Sequence, residues 1–403
     1  MSFPSFALGD VAEFIRGVTY KPGDLMENFS DGSVVCMRTA NVQKELKQSD
    51  LLSIPCGLVK NENKILREGD LLVSTANSWN LVGKCCWVPA LDYPATAGGF
   101  IAVLRATPEK LDQRYLYHWF SSPDTQVDAR NCGRQTTNIS NMDIGRCLAL
   151  EIPLPPLPEQ RRIAAILDKA DALRAKRRET VAKLDQLLQS AFLEMFGDPE
   201  TNSKRWPIGV IGDLLESVKY GSSEKAALEG DVPILRMNNL TYAGEMDLTH
   251  LKYISADKAE EKYQVRPGDI LFNRTNSKEL VGKTAVYAGP IPMAYAGYLV
   301  RGRTRPGQSP EYISGFLNSS YGKATLQGMC KSIVGMANIN AREFAAIAIP
   351  MPPSDLQKTF QSQVSNIRGR RDMLKRQSEP PRESWRLQLL REWSHDQVKT
   401  VFP

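Results

Sequence analysis

The chain repeats itself once, about 200 residues apart. The stretch from Leu66 to Lys84, which reads Leu-Arg-Glu-Gly-Asp-Leu-Leu-Val-Ser-Thr-Ala-Asn-Ser-Trp-Asn-Leu-Val-Gly-Lys, aligns without a gap to Val265–Lys283. The two share 10 of 19 positions, where average residue usage gives roughly one. Other landmarks keep nearly the same offset: Leu8-Gly-Asp-Val11 answers to Ile211-Gly-Asp-Leu214, Val35–Val42 to Pro233–Leu240, Tyr115-Leu-Tyr117 to Tyr312-Ile-Ser314, and Ile152-Pro-Leu-Pro-Pro156 to Ile349-Pro-Met-Pro-Pro353. Such an offset far exceeds the repeat of a solenoid and points to duplication of a whole domain. With 403 residues the chain is long enough for two sizeable cores.

Within each copy, short apolar runs such as Leu71-Leu72-Val73 and Phe100–Leu104 are bounded by Gly-Asp, Asn-Ser and Gly-Gly turns. These predict strands joined by polar loops. Tyr115, Leu116, Trp119 and Phe120 fall at helical spacing and predict a helix over Leu111 to Ser121. Each module is therefore expected to be mixed α/β and strand-rich.

After Ile152-Pro-Leu-Pro-Pro-Leu-Pro158 the pattern changes. Glu159 to Met195 holds no Gly or Pro, and apolar residues recur at Ile163, Ile166, Ala170, Leu173, Val181, Leu184, Leu188, Ala191 and Met195, interrupted where Arg177 falls on the seam. This spacing of three and four predicts one uninterrupted helix, about 55 Å long at 1.5 Å per residue. Gly197-Asp-Pro199 stops it. Leu356, Phe360, Val364, Ile367 and Leu374 repeat the theme from Asp355 to Gln377. The expected architecture is two α/β modules separated by two long, antiparallel, coiled-coil-like helices. Its boundaries are 1–152 for the first module, 153–198 for the first helix, 199–349 for the second module and 350–379 for the second helix. A divergent tail, 380–403, begins where Glu379-Pro380-Pro381 breaks the helix and matches nothing in the first copy.

Composition narrows the function classes. An apolar share of 42% with 24% charged residues is that of a soluble globular protein. No 18-residue apolar run is present, and Met1-Ser-Phe-Pro-Ser5 lacks the charged-then-apolar pattern of an export signal, so a cytoplasmic location is expected. The net charge of +6 permits an anionic partner without requiring one. Seven cysteines without a CxxC pair, and only His118, His250 and His395, do not give zinc-site spacing.

Catalytic signatures fail on inspection. Gly282-Lys283-Thr284 resembles the end of a phosphate-binding loop, but Ser277 stands where the pattern needs Gly. Glu62-Asn-Lys64 and Glu260-Glu-Lys262 satisfy the loose half of a nuclease pattern and read better as solvated helical ends. Neither a nucleophile elbow nor a metalloprotease helix is present. No catalytic residue, metal or cofactor is assigned to this chain.

The loops instead carry side chains suited to nucleic acid. Arg38 and Asn41 match Arg236 and Asn239; Asn77, Ser78, Trp79 and Lys84 match Asn276, Ser277, Lys278 and Lys283, with Arg274 and Thr275 just ahead of them. The loop holding Arg134, Gln135 and Thr137, Gly133 to Asn138, is aligned with Gly335-Met-Ala-Asn338. Arg pairs with guanine, Asn and Gln with adenine, and Ser, Thr and Lys with phosphate. Positions that differ between copies, Trp79 against Lys278 and Arg134-Gln135 against Met336-Ala337, are the candidates for specificity. Shared Asn and Ser residues also serve as turn caps, and Asn77 and Asn276 carry both readings.

Pro153-Leu-Pro-Pro-Leu-Pro-Glu-Gln-Arg-Arg-Ile163, then Ile166–Leu173 and the closing Ser190–Asp198, resemble the central conserved region of Type I restriction-modification specificity subunits. The resemblance covers nearly the whole chain. It implies duplicated target-recognition domains, each reading half of a split double-stranded DNA site. It also implies helices that set the gap and dock two copies of a modification subunit, which binds S-adenosylmethionine and methylates adenine, and a motor-nuclease restriction subunit that joins for cleavage. The docking residues are then expected on the first helix, at Glu159, Gln160, Ile163, Ile166, Leu173, Leu184 and Leu188. The rival readings are a nuclease or methyltransferase carrying its own reader, and a helical scaffold without DNA specificity.

Overall fold

The structure, a computed structural model, describes residues 3–135, 139–333 and 336–378. They form two compact units: one reaches to Lys176, and the other is Arg177–Ser378. Among the described residues no helix is long and apolar enough to cross a membrane.

In the first unit a four-stranded antiparallel sheet is ordered Ala12–Arg16, Ile101–Ala106, Leu71–Ser74, Cys85–Trp87. The run Leu71-Leu72-Val73 is buried on both faces, as a continuous apolar strand requires. A second sheet pairs Ser33–Met37 antiparallel with Ser53–Pro55 and parallel with Ala95–Ala97. The helix expected near residue 111 runs Gln113–Phe120. Asp112 caps it by accepting hydrogen bonds from the N–H groups of Arg114 and Tyr115. Tyr115, Leu116, Trp119 and Phe120 all face the core.

The second unit has the same strand order: Leu215–Tyr220, Leu299–Thr304, Ile270–Asn273, Thr284–Val286. Its second sheet likewise pairs Val232–Leu235 antiparallel with Lys252–Ile254 and parallel with Met293–Tyr295. Pro310–Asn318 answers to Gln113–Phe120.

The Gly-Asp of the sequence repeat has a structural reason. Asp70, 1% exposed, accepts two hydrogen bonds from Arg105 at 2.7 and 2.6 Å and one from its own turn at Arg67 N–H. Asp269, 2% exposed, is held alike by Arg303 at 2.7 and 2.8 Å and by Arg266 N–H. A buried carboxylate needs this full set of donors to offset its desolvation.

One continuous helix, Leu157–Phe196, spans 40 residues and contributes to both units. Its first turns bury Ile163, Ala164, Leu167 and Ala170 in the core of the first unit. Phe192 and Phe196 enter that of the second, with Leu188, Ala191 and Met195 packed against it. The C-terminal helix, Ser354–Ser378, lies antiparallel to its second half. Arg177 bonds the Gln377 carbonyl at 2.5 Å, Asp185 meets Arg371 at 3.3 Å, and Phe192 packs edge-on against Phe360.

The proline-rich run joining module to helix is fastened in the same way in both units. Tyr115 donates its hydroxyl to the Pro153 carbonyl at 2.8 Å, and Tyr312 to the Pro350 carbonyl at 2.6 Å. Gln160, 1% exposed, donates to the Lys110 and Pro155 carbonyls and accepts from Asp112 N–H. Gln357 does the same with the Pro352 carbonyl, the Gln308 side chain and Ser309 N–H. The Pro-Glu-Gln signature of the sequence is thus a lock on the module's own helix cap.

Two outcomes follow for stability. Asp70→Ala leaves Arg105 buried without its partner, a loss of about 3–5 kcal/mol. Hydrogen exchange is expected to speed up across the first unit's sheets while Ile270–Asn273 and its neighbours stay protected; uniform protection in both units would contradict it. Tyr115→Phe removes one hydrogen bond without a cavity, and a loss near 1 kcal/mol, confined to the first unit, is expected in the same measurement.

Candidate nucleic-acid interface

Each unit builds a small three-stranded sheet from the repeat loop and the residues after its second short helix, Pro123–Asn131 or Ser320–Met329. In the first unit Ala76–Asn77 pairs with Ser140–Met142, which pairs with Gly133–Arg134. In the second, Thr275–Asn276 pairs with Met336–Asn338, which pairs with Lys331–Ile333. The main sheet feeds both directly: Thr75 receives Met142 N–H on its carbonyl at 2.8 Å, and Arg274 receives Ile339 N–H at 2.9 Å.

This register corrects one alignment made from the sequence. Arg134 lies opposite Asn141, which lies opposite Ala76; Lys331 lies opposite Asn338, which lies opposite Thr275. Asn338 therefore corresponds to Asn141, not Asn138, and Arg134 corresponds to Lys331, not Met336. A cation is common to both units at this position. Asn141, exposed and opposite Arg134, was missed because the loops differ in length and gapless alignment slips across them. Thr137 falls outside the described residues.

The remaining candidates divide by what they already touch. Arg134, Gln135, Ser78 and Lys278 are exposed. Trp79 is half-buried, on a short helical turn Trp79–Leu81. Arg274 places its guanidinium 4.9 Å from the centre of the Tyr220 ring and 3.3 Å from Asn338 Oδ1, while Asn338 Nδ2 reaches Thr275 Oγ1 at 3.3 Å. These four groups assemble one polar cluster in the second unit.

Asn77 and Asn276 act as turn caps here: each side-chain oxygen accepts the next residue's N–H, from Ser78 at 2.8 Å and Ser277 at 2.9 Å. Lys84 reaches Gln43 Oε1 at 2.6 Å and Lys283 the Met237 carbonyl at 2.7 Å, each bridging the repeat loop to the preceding one. Burial holds the Lys283 amine below the usual lysine range.

Asn41 and Asn239 do not suit the role expected of them. They are 1% and 2% exposed, and their amides staple a loop: each oxygen accepts Arg38 or Arg236 N–H, and each nitrogen donates to a carbonyl further on, Lys47 and Asp247. Arg38 and Arg236 close the same loops onto the Asp50 and His250 carbonyls. Asn in such a loop resembles a base reader in sequence because both uses need a bidentate amide.

The expected docking helix is corrected in the same way. Gln160 and Ile163 are buried in their own unit, Leu188 packs on the second core, Ile166 and Leu184 are half-buried, and Glu159 faces Arg162 at 3.7 Å. Leu173 is exposed, as are Leu187 and Leu193, which the seam pattern did not select. Among the described residues no three His, Cys, Asp or Glu side chains gather into a metal-holding group.

Comparison with known proteins agrees with this arrangement. Residues 3–183 match the family described as the Type I restriction modification DNA specificity domain. The chain is 27% identical over 391 residues to the Type I restriction enzyme EcoKI specificity subunit of Escherichia coli K12, covering 91% of this chain and 82% of that protein. It is 26% identical over 393 residues to the StySPI specificity subunit of Salmonella potsdam, with the same coverage. The fold matches the Type-I restriction-modification S subunit from M. genitalium with a TM-score of 0.60 at 15% identity, over 98% of this chain and 97% of that one. The repeat, the long helix and these likenesses agree: residues 3–183 carry the Type I restriction modification DNA specificity domain, and the chain is similar over most of its length to Type I specificity subunits.

Proposed function

We propose that the two units are copies of one target-recognition module, 1–152 and 199–349, each reading one half of a split double-stranded site through its small sheet. As a specificity subunit the chain is the non-catalytic component of its system. The helices at 153–198 and 350–379 serve as spacer and as platform for two copies of the modification subunit, which carries S-adenosylmethionine, with the restriction subunit joining for cleavage. The complex acts in the cytoplasm, where the DNA is. The observation that carries this reading is the common register that sets Arg134 and Asn141, or Lys331 and Asn338, across the same strands in both units. A cation beside an amide offers donors to guanine and both donor and acceptor to adenine.

The division of labour follows from exposure. Arg134, Gln135 and Asn141 are exposed and free to meet base edges in the first half-site, whereas Arg274 and Asn338 in the second are half-buried and hold each other, so they reach a base only by giving up that contact. Lys278, on an exposed turn, is placed for phosphate.

The test is selection of duplexes from a random library by the full-length chain co-purified with its modification subunit. A bipartite site is expected; uniform enrichment of all duplexes would overturn the reading. Arg134→Ala is expected to relax preference within one half-site and weaken binding by roughly 10-fold, leaving the other half-site untouched. Lys278→Ala is expected to weaken all sequences alike and reduce the salt dependence by about one counterion. Identical salt dependence in the variant would remove Lys278 from the interface.

A further inference from the structure

Each unit holds an aromatic side chain in solvent at the tip of a tight turn, and it is the same turn in both. Phe100 is 62% exposed and Tyr298 is 53% exposed. Their equivalence is fixed by register, since Ser74 pairs with Ile101 and Asn273 with Leu299. Both occupy the third position of a four-residue turn, closed by Ile101 N–H on the Gly98 carbonyl at 2.9 Å and by Leu299 N–H on the Ala296 carbonyl at 2.8 Å. Turn tips favour Gly, Asn, Asp and Ser. A large ring there leaves more than half of its surface in solvent.

The turn is rigid. A neighbouring strand crosses it at a glycine in both units: a Cβ on Gly17 would stand 2.1 Å from the Gly98 carbonyl oxygen, and one on Gly221 would stand 2.3 Å from that of Ala296. Val18 N–H on the Ala97 carbonyl at 2.7 Å, and Gly297 N–H on the Ser222 carbonyl at 2.7 Å, pin the crossing further. The ring therefore projects from a backbone that cannot retreat.

Its position links it to the small sheet. The Phe100 carbonyl accepts Thr75 N–H at 3.0 Å and Ala76 N–H at 3.3 Å, and the Tyr298 carbonyl accepts Arg274 N–H at 3.0 Å. The residue presenting the ring thus also fixes the start of the segment holding Asn77 or Asn276. The crossing strand carries an exposed cation in each unit, Arg16 one residue before Gly17 and Lys219 two residues before Gly221.

We propose that Phe100 and Tyr298 are base-stacking wedges, one per half-site, each pressing on a base step beside the bases its small sheet reads. This rests on the DNA-reading function proposed above. An exposed aromatic on a rigid mount suits unstacking of a duplex step better than it suits a protein surface, where a ring would be sunk in a wider apolar patch. Sequence preference then arises also from the step's deformability, with Tyr and Phe exerting the same action in the two units.

The experiment uses the full-length chain with its modification subunit and a duplex selected by that wild-type complex, with 2-aminopurine scanned through both half-sites. Wild type and Phe100→Tyr are expected to brighten one step on binding. Phe100→Ala is expected to abolish that signal and weaken binding by roughly 10-fold, with the other half-site's signal intact; Tyr298→Ala is expected to give the mirror result. Because both side chains are exposed, thermal unfolding should be unchanged. Wild-type affinity and unchanged fluorescence in both Ala variants would overturn the wedge while leaving DNA reading standing. Loss of the modification subunit from the variants, with DNA binding intact, would assign the rings to a protein partner and overturn it too. Failure of wild type to select any duplex would sink both proposals together.

Discussion

The junction between module and helix is the constraint on which the rest of this molecule depends. A helix that leaves a domain through four prolines in six residues has few backbone donors to tie it down. The chain solves this with two side chains used twice: a tyrosine hydroxyl on the Ile-Pro carbonyl and a glutamine amide bridging the proline run to the cap of the module's helix. Both glutamines are buried with their donors and acceptors engaged, so the helix cannot rotate about its lead-in without breaking several bonds at once. Whatever the module reads is thereby referred to the direction of a stiff helix.

Around that common fastening the two junctions differ in charge. Arg114, on the first module's helix, meets Asp168 at 2.6 Å, and buried His118 meets the same carboxylate at 2.9 Å. At the position corresponding to Arg114 the second unit has Glu311, which meets Arg368 of the C-terminal helix at 2.7 Å. Burial pushes the Glu311 carboxyl up, and Arg368 opposes it. Where the first unit has His118 the second has Gly315, whose missing side chain leaves room for the Phe192 and Phe360 rings. The second unit also has a longer loop, closed by Leu240 and Met246 rather than Val42 and Leu46, and its Glu245 joins Asp185 in binding buried Arg371. The ion pair between module and helix thus runs in opposite charge order at the two junctions.

Much of the fold was legible because duplication is read from identity and strands from apolar runs between turns. The central helix appeared within a few residues of its observed ends because thirty-seven residues without Gly or Pro admit little else. The interface was harder to read. Side chains in a repeated loop look alike whether they cap, staple or protrude, and only burial separated Asn41 from Asn141. Apolar residues on the long helix likewise could not be divided between a core and a docking face by spacing, since Ile163 and Leu173 share one periodicity but differ wholly in exposure. The exposed ring at Phe100 looked in sequence like the start of a core strand.

The most direct test of the central claim is to lengthen the helix between the two fastenings. Seven residues inserted after Ala172, upstream of the Arg177 contact with the C-terminal helix, add about 10 Å with little change of phase. The account requires the selected DNA site to keep both half-site sequences while its unread gap grows on the order of 3 base pairs. A site whose half-sequences change while the gap stays fixed would contradict it.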